Sequence, residues 1–306
     1  MQRTLQKRAT EWGLAATLLL LLLLAVSHIT LVTSAMQKAL ALCANALIPT
    51  LFPFLIITDL LLSVEATERM LFRVSRPFSY LLRLSPTGGA AFLLGAVFGF
   101  PMGAKAVAHY YRNRELSREE AERLLLFSGN ASPFFLIGSV GGNMLFSTQK
   151  GVALYLLQLA ISLACGVLLG LFAPKPPETA QVSFRTKRIS FSKTVQNAVR
   201  QSLFISGYVL FFSVVLSIVL PYLKSPFLVR LFACLLEISN ACAQASEGKA
   251  LTFPFCAFAT CFSGLSVYFQ TLDCIEGTDL STKSYLPIKL LCGFAGFFLA
   301  LPFSSR

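Results

Sequence analysis

The chain has 306 residues, of which 55% are hydrophobic and only 13% are charged. A soluble globular domain carries about twice that share of charged residues, so the composition argues against a soluble enzyme and indicates a polytopic membrane protein. The net charge of +12 is typical of cytoplasmic loops in such proteins, and we expect no nucleic-acid partner.

Stretches that lack Asp, Glu, Lys and Arg locate the candidate membrane segments. A spanning helix needs about 20 apolar residues, so most of these windows are long enough and the last is marginal. The windows are 12–37, 39–58, 84–104, 124–149, 151–174, 201–223, 250–272 and 290–305. Lys and Arg dominate 64–87 and 175–200, which predicts that both segments and the N-terminus are cytoplasmic.

The first window follows Arg3, Lys7 and Arg8. This pattern fits either a signal peptide with a poor cleavage site at 33–35 or an uncleaved first helix. The long apolar run and the segments after it favour the uncleaved helix, so 1–38 is predicted as an N-terminal transmembrane helix.

An amphipathic stretch and a broken window follow. The stretch 66–84 interleaves Arg with apolar residues and predicts a helix in the interface plane, with recruitment of anionic lipid as the alternative. In 84–104, Gly99, Pro101 and Gly103 interrupt the helix. Irregular backbone at membrane depth requires protein or water partners, so we expect a re-entrant hairpin there; a Pro-kinked span is the alternative.

Lys105 directly follows this hairpin tip. Its ammonium either attracts the carboxylate of a bound solute or extends to the cytoplasmic surface. The side chain is therefore a candidate site residue together with the three residues of the tip.

A second break is predicted in the sequence SGNASP. A capping box at 117–120 begins a polar helix, and Pro133 biases Ser132 away from helical angles. Because 124–149 is free of charge, we expect an interrupted membrane helix in which Asn130 and Ser132 face a ligand. A loop outside the membrane that joins two helices is the alternative.

Two polar clusters interrupt the apolar second half. Glu237 lies within 226–246. A carboxylate at membrane depth is energetically costly, so its presence indicates a functional group. Alternatively this stretch lies in the interface and Glu237 is solvated. We expect Glu237 to couple an ion. The polar residues predicted to bind solute in this half are Ser239, Asn240, Ser263, Gly264, Ser266 and Gln270.

The two halves follow the same predicted order of span, amphipathic stretch and hairpin. The matched pairs are 39–62 with 201–223, 66–84 with 226–246, and 88–110 with 251–272. Laying FGFPMGA at 98–104 on CFSGLSV at 261–267 gives few identities, so the element order is the better evidence. The two predicted hairpins should enter the membrane from opposite sides, which predicts an inverted repeat of 39–173 and 201–306. The basic cytoplasmic linker 174–200 joins the two repeats, and we expect a substrate site between them at the midplane.

The stretches GFPMGAK, SREEAERLL, SGNASP and SGLSV resemble the YlbJ-like sporulation integral membrane proteins of the nucleoside-recognition, or Gate, domain group. The family often has TNTSNP where this chain has SGNASP, so Gly129 and Ala131 replace side chains that could bind. The resemblance implies an all-α fold similar to concentrative nucleoside transporters, with inverted repeats, two re-entrant hairpins and interrupted helices. It also implies cation coupling, a sporulation role in endospore-forming bacteria and, from sporulation relatives, movement of dipicolinate into the spore.

These observations predict a secondary transporter of a small polar or anionic, dipicolinate-like solute, coupled to Na⁺ or H⁺ and without a cofactor. The alternative is a non-transporting sporulation scaffold that recruits partners through its basic loops. No HExxH, GxSxG or P-loop pattern is present, which argues against an enzyme. The eight cysteines lack a CxxC pair and the two histidines are far apart, which argues against a metal site.

The expected location is a bacterial cell or forespore membrane, with the chain crossing several times. The expected partners are the solute and membrane lipids, and a homo-oligomer is compatible with either function.

Overall fold

The structure is a computed structural model that describes residues 2–174, 190–246 and 251–304. Within these ranges the chain forms helices and no β-strand, so the all-α prediction is confirmed. Most of the predicted basic linker, 175–189, lies outside the described residues, and α9 already begins at Phe191.

The described chain contains fourteen α-helices. Those of the first half are α1 (Gln2–Ser27), α2 (Ile29–Leu42), α3 (Ile48–Leu62), α4 (Glu65–Leu81), α5 (Pro86–Phe98), α6 (Met102–Arg112), α7 (Arg118–Ser128) and α8 (Thr148–Leu171). Those of the second half are α9 (Phe191–Val219), α10 (Pro226–Leu236), α11 (Ile238–Ser246), α12 (Thr252–Phe262), α13 (Gly264–Ile275) and α14 (Tyr285–Ala300). Wider π-helical turns form Cys43–Leu47 and Phe134–Met144, and 3₁₀ turns form Leu220–Tyr222 and Leu301–Phe303.

Four described helices are long and apolar enough to cross a membrane, and two sharply bent helix pairs raise the number to six if each pair is one span. The four are Thr148–Leu171, Phe191–Tyr222, Thr252–Ile275 and Tyr285–Phe303. Large apolar side chains such as Leu168, Leu203 and Phe298 are exposed on their outer surfaces. Such surfaces suit a lipid environment, which supports a multi-pass integral membrane protein.

The N-terminal segment bends inside the predicted first helix. The first window predicted one helix over 12–37, but α1 ends at Ser27 and the chain turns by 93° at His28. From Ile29 the helix continues past Lys38 and through the π-helical turn into α3. Lys38 is exposed on the helix surface, so its charge ends the sequence window without ending the helix.

The break predicted around Gly99 is confirmed, because α5 ends at Phe98 and α6 begins at Met102. Gly99 has φ +78°, a conformation that glycine adopts without steric cost. The two helices pack side by side, and a Cβ on Gly95 would stand only 3.0 Å from the Cα of Gly103. The chain therefore reverses, and we call residues 86–112 hairpin 1.

The second hairpin lies earlier in the chain than predicted. α10 and α11 pack side by side and meet at Glu237, whose backbone is extended with φ −156° and ψ 134°. Residues 226–246 therefore form hairpin 2. The predicted hairpin at 251–272 is wrong, because α12 and α13 form one span that is interrupted at Ser263.

The suggested match of 98–104 with 261–267 therefore pairs the tip of hairpin 1 with an interrupted span, which is a different kind of element. Gly99 opens the tip of hairpin 1, and Ser and Gly open the interrupted spans, so composition does not distinguish a hairpin tip from an interrupted span. The break after Ser128 is the better counterpart of the break at Ser263, since α7 stops there and the helix resumes at Pro133. In both halves a hairpin, an interrupted helix and an uninterrupted span follow each other.

Candidate functional site

A wide cavity of about 530 Å³ opens between α3, hairpin 1, α9 and α13. Its volume lies within the range of about 300–1,000 Å³ that is typical of small-molecule sites. Polar and charged side chains form much of its wall, namely Asp59, Lys105, Arg112, Asn197, Arg200, Gln201, Tyr208, Gln270 and Asp273. We call this cavity the vestibule.

A narrow cleft of about 20 Å³ adjoins the vestibule. Ile205 and Gln270 line both cavities, so the two are contiguous. The polar side chains of the cleft come from separate elements and are Ser132, Glu237, Ser239 and Gln270, with Phe100 from the tip of hairpin 1 beside them. The fold thus brings together four of the residues predicted to form the site.

Glu237 lies at the tip of hairpin 2 and is 2% exposed. Its Oε2 accepts a hydrogen bond from the backbone N–H of Asn240 at 2.8 Å. Because α11 begins at Ile238, the carboxylate caps the positive end of this helix, where a negative charge is favoured. No Lys or Arg in the described ranges forms an ion pair with it. The same side chain thus caps a helix and lines the cleft.

Gln270 carries an unused hydrogen-bonding atom where the two cavities meet. Its Nε2 donates to Ser266 Oγ at 3.2 Å, whereas its buried Oε1 has no partner. Gln201 is similar, because its Oε1 accepts from Lys105 Nζ at 2.7 Å and its Nε2 has no partner. A buried polar atom without a partner costs about 1–3 kcal/mol, so a polar ligand that met these amides would be favoured.

The vestibule contains three cationic and two anionic side chains. Each anion accepts from a neutral donor: Asp59 from Asn197 Nδ2 at 3.5 Å, and Asp273 from the Tyr208 hydroxyl. Arg112 donates to two backbone carbonyls at 2.7 and 3.0 Å. Within the described ranges none of these five charges is part of a close ion pair.

The remaining predicted site residues of the first half have different positions. Pro101 and Lys105 line the vestibule. Gly99 packs against the backbone of Ser132, and Gly103 packs against the carbonyl of Ser128. Asn130 points away from the cleft, since its Nδ2 donates to Phe127 O at 3.1 Å and Ser162 Oγ at 3.2 Å.

In the second half, four predicted residues support the backbone next to the cleft. Asn240 Oδ1 accepts from Ser213 Oγ at 2.9 Å. Ser263 and Gly264 have φ of +72° and +75°, and Gly264 packs against the carbonyl of Leu236. Ser266 accepts the hydrogen bond from Gln270. A binding role for these residues stays a prediction.

The break after α7 is held by side chains and by the tip of hairpin 1. The backbone N–H of Phe100 donates to Asn130 O at 2.7 Å. Gln158 accepts from Ala131 N and donates to Ala131 O, both at 3.0 Å. Ser162 Oγ donates to Phe127 O, and Lys289 Nζ donates to Gly129 O, both at 2.6 Å. The protein itself therefore satisfies this irregular backbone, as a break at membrane depth requires.

Sequence reasoning missed several charged residues next to the cavities or in the interior. Asp59, Arg200 and Asp273 line the open vestibule, whereas Lys289 is buried and 4% exposed. Each directly flanks a charge-free window. A charge at the edge of an apolar window indicates the end of a span but does not show whether the side chain faces a cavity.

A polar latch on the exposed side connects hairpin 1 and α7 with the loop after α13. The Tyr111 hydroxyl donates to Asp279 Oδ1 at 2.6 Å, and Arg118 lies 3.4 Å from the same carboxylate. The hydrogen bond from Tyr111 lowers the pKa of Asp279 below its ordinary value. Ser281 N donates to Glu122 Oε1 at 2.9 Å. These three contacts define the latch.

The described residues contain no group of three or more His, Cys, Asp or Glu side chains that could hold a metal ion. All eight cysteines lie in the described ranges and are free thiols.

Comparisons with known proteins find similarity to a sporulation membrane protein. No family model matches the chain, and no solved structure matches it significantly. The sporulation integral membrane protein YlbJ of Bacillus subtilis (strain 168) is 24% identical over an alignment of 335 residues, which covers 94% of this chain and 81% of the relative. Similarity over nearly the whole length, together with the motifs noted above, supports a YlbJ-like family assignment.

Proposed function

We propose that this protein is a sporulation-associated secondary transporter that moves a small polar or anionic, dipicolinate-like solute by alternating access. The observation that carries the proposal is the vestibule, which leads to a cleft formed by two hairpin tips and two interrupted helices. Interrupted helices bring helix ends to the solute site in membrane transporters. The sporulation role is suggested by the similarity to YlbJ.

The polar groups suit a solute that bears both a charge and hydrogen-bonding atoms. Lys105, Arg112 and Arg200 favour a carboxylate in the vestibule, because they have no ion-pair partner in the described part of the chain. The unpartnered atoms of Gln201 and Gln270 offer one donor and one acceptor. We therefore expect the solute to enter between the positive groups and then contact Gln270.

The twofold order of hairpin, interrupted helix and span supports an inverted repeat of the kind found in concentrative nucleoside transporters. In this proposal the vestibule faces the cytoplasm, because the basic stretch before α9 marks that side. Glu237 is the proposed coupling group, binding a proton or helping to hold Na⁺ while it caps α11. No further cofactor is part of the proposal.

The first experiment is uptake by proteoliposomes that contain the purified protein. Labelled dipicolinate and a nucleoside mixture are supplied with and without sodium and proton gradients. Gradient-driven accumulation supports the proposal and names the solute class. No uptake of either class by a demonstrably folded protein would favour the scaffold that recruits partners through its basic loops.

Replacement of Gln270 by Leu tests the cleft. For a solute with a hydrogen-bond donor we expect an uptake rate about tenfold lower, because it loses a bond to Gln270 Oε1 worth about 1.4 kcal/mol. Gln149→Leu is the matched control, since Gln149 is exposed at the start of α8. Equal rates for the two variants would remove Gln270 from the site.

Replacement of Glu237 by Gln tests ion coupling. The amide keeps an oxygen that can cap α11 but loses the charge, so we expect the dependence on the ion gradient to disappear. Glu119→Gln, an exposed carboxylate on α7, is the control. An unchanged pH and sodium profile in Glu237→Gln would show that coupling does not depend on this residue.

A further inference from the structure

Lys289 is a buried cation to which the proposed transport mechanism gives no role. It lies one turn into α14, within the candidate span Tyr285–Phe303, and is 4% exposed. It lines neither the vestibule nor the cleft, and no described acidic side chain pairs with it. A buried ammonium without a partner is strongly unfavourable, so the groups around it must stabilise the charge.

The partner of this ammonium is the broken end of α7. Lys289 Nζ donates to Gly129 O at 2.6 Å, directly after the last residue of α7, Ser128. The C-terminal end of a helix carries a partial negative charge and favours cations. The neighbouring carbonyl of Phe127 accepts from Ser162 and Asn130, both neutral donors. The ammonium is therefore the positive group at this helix end.

The space around the ammonium is too small for a hydrated ion. The adjoining cavity is about 10 Å³ and is lined by Asn130, Gln158, Ser162 and Lys289 among others. This volume is near the lower limit for a single water molecule. The side chain itself thus fills the position that a cation would occupy against these carbonyls.

We propose that Lys289 is a tethered cation, and that the break after α7 is a binding site for a primary ammonium group which the chain supplies from α14. The site recognises an ammonium through an N–H donor to Gly129 O, the negative end of α7 and a narrow space whose lining includes the polar side chains of Asn130, Gln158 and Ser162. Truncation of Lys289 should therefore leave a site that takes up a free primary alkylammonium ion. This inference does not depend on transport.

Chemical rescue of Lys289→Ala tests the proposal. The atoms removed correspond to n-propylammonium, so the probes are ethylammonium and n-propylammonium, with tetramethylammonium as a cation that lacks N–H donors. Unfolding of the detergent-solubilised full chain is followed by reaction of its buried cysteines with a thiol dye. Lys150→Ala, at an exposed lysine of α8, is the matched control.

We expect Lys289→Ala to melt at a temperature about 5 °C or more below that of the unsubstituted chain. Ethylammonium and n-propylammonium should raise this temperature in a concentration-dependent manner, whereas tetramethylammonium should not, and Lys150→Ala should respond to none of them. An equal response to tetramethylammonium, or no response to any amine, would overturn the proposal.

Lys289→Met keeps the proposal testable if Lys289→Ala does not fold. Met fills a similar volume without a charge or a donor, so we expect Lys289→Met to be less stable than the unsubstituted chain. A Lys289→Met variant that is equally or more stable would show that the ammonium is merely tolerated, and would also overturn the proposal.

Discussion

The two places where a hairpin tip meets an interrupted helix have the same architecture but opposite charge. At the first junction, hairpin 1 contacts the break after α7, and the charged group is the ammonium of Lys289 at a helix C-terminus. At the second, hairpin 2 contacts the break at Ser263, and the charged group is the carboxylate of Glu237 at a helix N-terminus. Each charge complements the end of the helix dipole that it faces.

The junctions also differ in how firmly they are held. The first break is several residues long, and side chains from α8 and α14 bind its backbone. The second break is essentially one residue, and Ser263 Oγ bonds locally to Thr260 O at 3.2 Å. The first junction is therefore expected to be the more rigid one. The second junction has fewer long-range hydrogen bonds, so it is the better candidate for movement, and it carries the carboxylate of the cleft.

Steric tests at glycine should give the largest effect. A Cβ on Gly95 would stand 2.0 Å from the carbonyl oxygen of Ser128, so Gly95→Ala must separate hairpin 1 from the break. We expect it to lower the free energy of unfolding by about 3 kcal/mol or more. Thermal unfolding in detergent, read by a thiol dye on the buried cysteines, provides the measurement.

Substitutions at two other glycines provide comparisons for Gly95→Ala. Gly264→Ala, with φ +75° and the Leu236 carbonyl 2.9 Å from the added Cβ, should cost about 1–2 kcal/mol through backbone strain. Gly207→Ala in α9 meets nothing within 4 Å and should be neutral or stabilising, because Ala is the better helix former. If Gly264→Ala cost more than Gly95→Ala, the first junction would not be the firmer one.

Truncation of polar side chains at the two junctions should give the next largest losses of stability. Gln158→Ala leaves both the N–H and the C=O of Ala131 unpaired, which should cost about 2 kcal/mol or more. Glu237→Ala removes one helix cap and should cost about 1 kcal/mol. The same unfolding assay ranks them, with Gln149→Ala as the exposed control. A larger loss for Glu237→Ala would reverse the proposed order of rigidity.

The breaks were predictable wherever Gly and Pro produce them. Gly99 and Pro101 end α5, and the SGNASP sequence ends α7, because these residues disfavour continued helix whatever surrounds them. The tip of hairpin 2 had no such signal. Glu237 reverses the chain with an extended backbone between α10 and α11. Any residue can adopt this conformation, so only tertiary packing determines the turn there.

Buried charges were not predictable for a related reason. Lys38 and Lys289 each flank a charge-free window, yet Lys38 is exposed and Lys289 is 4% exposed. A lysine side chain is long enough to reach either lipid headgroups or the protein interior. Which one it reaches depends on the helix that packs beside it, and no local pattern contains that information.

The smallest expected effect concerns the latch, which ties hairpin 1 to the loop that follows the second break. The Tyr111 hydroxyl holds the pKa of Asp279 below its ordinary value, so the ionised carboxylate stabilises the fold above about pH 4, the pKa of an unfolded Asp. This contribution is lost as the pH falls through the lower pKa of the folded state. Asp279→Asn should therefore melt slightly below the unsubstituted chain at pH 7, and the difference should shrink as the pH falls below about 4.

Two tyrosine variants separate the latch from general surface effects. Tyr111→Phe removes the donor and should reproduce the small loss of Asp279→Asn at pH 7, whereas Tyr80→Phe, at a side chain 91% exposed, should change nothing. Because the latch joins the firm junction to the looser one, Asp279→Asn should also make the cysteines of hairpin 2 react faster with thiol reagents below the melting temperature, while those packed near hairpin 1 keep their rate. Equal acceleration at both places would mean that the latch restrains the whole molecule and not the second junction in particular.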